Sequence, residues 1–187
     1  MGAASRRRLR AWAQALVTEH GDAVARLIGV PPPLPVVTIE VEPGGEVPGV
    51  TGGTTIVLGE RWFAARPDDV GCVLHELAHA YMRAPAYDEN TIWLIEGVAD
   101  YVRDVLGFDA PWTRAHHARG QARAGYQTTA HFLLWLEARR PAAVADLSRR
   151  LSAGIYVEEA FHEIAERPLD DLLRLYEREQ DDGASAR

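Results

Sequence analysis

The chain has 187 residues, 20 of them basic and all of those arginine, against 27 acidic, for a formal net charge of −7. Its 47% hydrophobic and 25% charged composition is that of a globular protein with enough length for one core, and its acidity argues against a general nucleic-acid binder. A single cysteine, Cys72, excludes an internal disulfide framework, and no apolar run is long enough to span a bilayer.

Residues 1–30 read as an N-terminal helical segment, because Leu9, Trp12, Leu16, Val24, Leu27 and Ile28 recur at near-helical spacing. Arg6, Arg7, Arg8 and Arg10 resemble the start of an export signal. The apolar stretch after them is too short, and Glu19, His20 and Asp22 follow. As written, the chain reads as cytoplasmic, or as secreted if its start is truncated or export is unconventional. Gly29 and Pro31, Pro32 and Pro33 stop the helix. Residues 35–42 (PVVTIEVE) alternate and are β-branched, which predicts a strand; the glycine- and proline-rich residues 43–53 predict a loop; residues 54–58 (TTIVL) predict a second strand. Helices are expected from Asp68 or Asp69 to about Arg83, from Asn90 or Thr91 to near Gly107, and over 126–139, 142–151, 155–166 and 168–180. The sum is an α+β chain, with a small N-terminal sheet and a mostly helical C-terminal half. Residues 31–180 are expected to form the main domain and 181–187 a frayed tail.

His75-Glu76-Leu77-Ala78-His79 is an HExxH sequence inside a predicted helix. Residues four apart share a helix face, so both imidazoles are able to hold one metal ion. Glu76 lies one step round, within reach of a water whose pKa such an ion lowers. The next predicted helix carries Glu96 and Asp100 as the only charges between Ile92 and Val102. Buried carboxylates are costly without a compensating cation. Glu96 therefore reads as the third ligand of a Zn²⁺ ion, leaving the fourth position open for water. Asp100 reads as the hydrogen-bond partner of a ligand histidine. The alternative is that Glu96 and Asp100 form a solvated stripe on an amphipathic helix.

HELAH, followed 17 residues after His79 by the glutamate of IEGVADY, resembles the gluzincin class of zinc metallopeptidases. Within that class, PVVTIEVE, VTGGTTIVL, VLHELAHAY, WLIEGVADYVR, GYQTTAHFLLWLE and DLLRLYE resemble the basic secretory protein family of plants and bacteria. The resemblance spans residues 35–176. It implies a zincin-like fold, with the HExxH helix beneath a small sheet, His75, His79 and Glu96 as metal ligands and Glu76 as catalytic base. It also implies an edge strand at residues 54–58, so that Thr54, Thr55 and Ile56 would bind substrate backbone by strand addition. Two departures stand out: the net charge is negative, and no signal sequence is recognisable, so the basic and secreted character of the family does not transfer.

Other residues admit two readings. Tyr126, after Gly125, is either a donor to the oxyanion of a tetrahedral intermediate or a helix-start aromatic. His116 and His117, among Arg114, Arg119 and Arg123, read as solvated surface rather than cleft rim. The arginines would favour an acidic peptide if they faced the site. His131 reads as a core histidine with a backbone partner, and Cys72 as a buried free thiol rather than a ligand. The tryptophans read as core or groove wall, and GVTGGTT as a loop without the lysine of a phosphate site. The expected activity is hydrolysis of peptides or proteins, with no nucleic-acid or membrane partner. The competing reading is a non-catalytic zinc module in which the metal fastens helices or a partner peptide. An open fourth position separates the two from a site closed by another protein ligand.

Overall fold

A computed structural model describes residues 2–108 and 120–185. Helix α1 (Ala3–Leu27) is one continuous helix. Ala13, Leu16, Val17 and Val24 are buried on one face, and Gly29, at φ 70°, ends it in the left-handed conformation that glycine adopts without strain. This face joins the same hydrophobic core as the rest of the chain.

Strand β1 (Thr38–Glu42) alternates exposed and buried, with Ile39 and Val41 inward. The predicted loop at 43–53 contains a strand, β2 (Gly49–Gly52), which turns through Gly53 into β3 (Thr55–Gly59). The sheet order is β1-β3-β2, with β1 parallel and β2 antiparallel to β3. This corrects the expected edge. Residues 55–59 form the central strand, with Ile56 paired to Ile39 on one side and Thr51 on the other. This strand takes the centre, with Ile56 and Leu58 fully buried there. Strand β2 holds the edge instead. Gly59 N–H donates to Pro48 O, 3.2 Å. Antiparallel alternation then turns the backbone groups of Gly49 and Thr51 away from β3.

Helix α2 (Glu60–Ala65) follows the sheet at once. Helix α3 (Val70–Met82) is capped by Asp69, whose carboxylate accepts from Cys72 N–H at 3.0 Å, and stops at Arg83 in the left-handed conformation. It packs against α1, β2 and α4 (Ile92–Val105). Helix α5 (Tyr126–Arg139) crosses α4 closely, since a Cβ on Gly97 would lie 2.1 Å from Thr129 Cγ2. Helices α6 (Ala143–Ser152), α7 (Ala160–Ala165) and α8 (Leu169–Ser185) complete the helical half. Helix α7 is shorter than the expected 155–166, and α8 runs beyond the expected end at 180. Phe132, Trp135, Phe161 and Tyr176 meet in edge and stacked contacts at 5.6–6.1 Å. Among the described residues no helix is long and apolar enough to cross a membrane.

Candidate metal centre

Helix α3 turns His75 and His79 towards α4, where Glu96 faces them, and the three residues form a cluster able to hold a metal ion. His75 Nε2 lies 3.0 Å from His79 Nε2 and 3.2 Å from Glu96 Oε2. His79 Nε2 lies 3.6 Å from Glu96 Oε1. Donors held at zinc–ligand distances in a tetrahedron stand roughly 3.3 Å apart, so the spacing suits such an ion. The donor set, two imidazoles and one carboxylate, suits it chemically as well. Among the described residues no fourth donor joins the cluster.

His75 Nδ1 is 2.8 Å from Asp100 Oδ1. A carboxylate only accepts, so Nδ1 carries a proton, and loss of the other ring proton would leave the Nε2 lone pair facing the cluster. Burial disfavours the charged ring, but hydrogen bonds to Asp100 and Glu96 outweigh it and raise the His75 pKa to about 10. Burial likewise opposes ionisation of Glu96, yet its bonds to His75 and His79 hold it well below the usual carboxylate range.

Glu76 is buried and lines the same cleft as the three donors. Its Oε2 accepts from Thr51 Oγ1 at 2.7 Å. A cleft of about 690 Å³ opens over the cluster, lined by β2, Tyr87 and Tyr126 among others. The Tyr126 ring is half exposed and stacks on His75, with centroids 6.1 Å apart and planes 8° apart. Burial, then the Glu96 charge, raises its pKa. The sequence reading did not single out Tyr87, in the loop between α3 and α4. It donates a hydrogen bond to Glu96 Oε1, and burial together with that bond raises its pKa strongly. Its signal was faint: one aromatic in a run of turn residues.

The remaining candidates fall away from this centre. Thr54, Thr55 and Ile56 do not line the cleft, and Ile56 is fully buried on the central strand. Cys72 lines the cleft without joining the donor cluster, and burial, then Glu76 and Asp69, keeps its thiol well above the usual range. Among the described residues His131 Nε2 is buried with no hydrogen-bond partner. Arg123 pairs with Glu158 at 3.0 Å, lies over Trp93 and does not line the cleft. His116, His117, Arg114, Arg119 and Trp112 lie outside the described residues.

A family model described as "Peptidase of plants and bacteria" matches residues 9–176, most of the chain. The chain belongs to the basic secretory protein family. The match includes most of α1, which the sequence resemblance had left out. No curated protein and no solved structure matches the chain. Membership in this peptidase family accords with the cleft and its clustered imidazoles, and supports a peptidase-like function.

Proposed function

We propose that this member of the basic secretory protein family is a zinc-dependent peptidase of gluzincin type with a zincin-like catalytic domain. His75, His79 and Glu96 would hold the zinc. Zinc there would supply a Lewis acid, lowering the pKa of a water and stabilising developing negative charge. The observation that carries the reading is the convergence of these three donors under an open cleft, with Glu76 beside them on the same helix.

Glu76 would take a proton from the attacking water and later deliver it to the departing amine. Asp100 fixes the tautomer and ring orientation of His75 through the 2.8 Å contact. Tyr126 would donate to the oxyanion; its raised pKa keeps the phenol protonated at neutral pH, as a donor must be. Tyr87 brings a second phenol to the same cleft. The extended substrate would add to the outer edge of β2 through the backbone groups of Gly49 and Thr51, in place of residues 54–56.

The test is Glu76→Gln, which retains size and polarity but cannot act as a base. Zinc content should equal that of the parent chain. Hydrolysis of a peptide library should fall by about 100-fold or more. Full activity in that variant would overturn the mechanism.

A further inference from the structure

The glycine-rich segment GVTGGTT touches the proposed base at two points. Thr51 Oγ1 lies 2.7 Å from Glu76 Oε2 and 3.1 Å from the Glu76 carbonyl oxygen. A hydroxyl has one proton, and the shorter contact to an ionised acceptor is the stronger one. Gly49, two residues earlier on β2, meets the same side chain. A Cβ there would fall 2.8 Å from Glu76 Cγ and 3.1 Å from both Cδ and Oε1. No positive φ marks Gly49, so the missing side chain makes room and does not relieve the backbone.

We propose that Thr51 is a positioning residue for Glu76, and that Gly49 is glycine because the Glu76 side chain, its Cγ foremost, occupies the space of its Cβ. Thr51 ties Oε2 and leaves Oε1 for proton transfer. Gly49 lets the strand come close enough for that bond. Both residues turn their outward backbone groups to the edge where substrate would add. Seating a peptide on β2 and aiming the base are therefore one structural event. The proposal rests on Glu76 being the base, so the experiment separates the two.

The zinc-loaded parent chain is compared with Thr51→Val, Thr51→Ser, Gly49→Ala and Glu76→Gln on one cleavable peptide. Valine keeps the shape and removes the donor; kcat should fall about 10- to 100-fold with KM within about twofold, the scale of a misplaced catalytic group. Serine restores the donor and should recover most of the lost kcat. Gly49→Ala should lower kcat without removing any polar group. A readout independent of activity uses the metal-free protein. Thr51→Val should lower Tm by about 2–4 °C in the parent background, and by less than half of that beside Glu76→Ala. Wild-type kcat in Thr51→Val, serine as impaired as valine, or additive Tm changes would overturn the positioning role. An active parent, a dead Glu76→Gln and an unaffected Thr51→Val would overturn this proposal alone. A parent that cleaves no peptide, or a fully active Glu76→Gln, would overturn the peptidase reading and this one with it.

Discussion

Asp100 is only 3% exposed, accepts from His75 with Oδ1, and leaves Oδ2 without a partner among the described residues. Arg103 Nη1 reaches the same Oδ1 at 3.5 Å, a long contact for an ion pair. The charge of Asp100 is therefore directed mainly at one imidazole. Asp100→Asn keeps the volume but lets an amide N–H face Nδ1, which favours moving the ring proton to Nε2 and blocks the donor atom. Zinc affinity should fall about 10- to 100-fold, measured by competition with a chromophoric chelator; an unchanged affinity would show that His75 orients itself. Asp100 was legible in the sequence for the same reason as Glu96: each is a charge stranded in an apolar helix. His75, Glu76 and His79 were legible through their spacing. Thr51 and Tyr87 were not, because their contacts join segments distant in sequence or without periodic pattern, and only the folded chain brings them to Glu76 and Glu96.

Strand β2 illustrates the limit at the level of elements. Two of its four residues are glycine, so no alternation marks it, and it exists because the turn at Gly53 folds it back onto β3. The helices were more legible: Asp69 caps α3, and α5 occupies 126–139 as its apolar spacing predicts. The segment before α7 failed as a helix; Ile155 and Val157 are exposed and follow Gly154, whose φ is 67°. What periodicity does not give is how closely two helices cross. At the α4–α5 crossing, a Cβ on Gly97 would meet Thr129 Cγ2 at 2.1 Å and Cβ at 2.5 Å. Thr129 has little freedom to turn away, since its hydroxyl donates to Ala122 O at 2.7 Å and accepts from Gly125 N–H at 3.0 Å. Gly97→Ala should cost about 1–3 kcal/mol of stability by overpacking. Adding Thr129→Ser removes the methyl and keeps the hydroxyl, so it should recover part of that loss in a denaturant titration. Full additivity of the two changes would place the strain elsewhere.

At the level of the molecule, the candidate centre joins α3 to α4 across the core, so its state of protonation or metal loading bears on the whole fold. In the metal-free chain the His75 pKa is raised from 6.5 to about 10. Its contribution to stability is complete below the unfolded value of 6.5 and is lost as pH rises through about 10. Glu96 runs the other way. Its pKa is depressed, so its contribution is present above 4.5 and is lost as pH falls through the lower folded value. Together these two groups favour the metal-free fold most between about pH 4.5 and 6.5, with a decline towards pH 10. Metal binding has the opposite slope, because it requires neutral His75 and releases its proton. Apparent zinc affinity should rise about tenfold per pH unit until about pH 10, and binding to the folded state alone raises stability with affinity. The gap in Tm between zinc-loaded and metal-free protein should therefore widen steadily from pH 6 to pH 9. Paired thermal melts across that range test the linkage. A gap that stops growing above pH 7 would mean that His75 titrates near its ordinary value, and that Asp100 and Glu96 do not hold its proton.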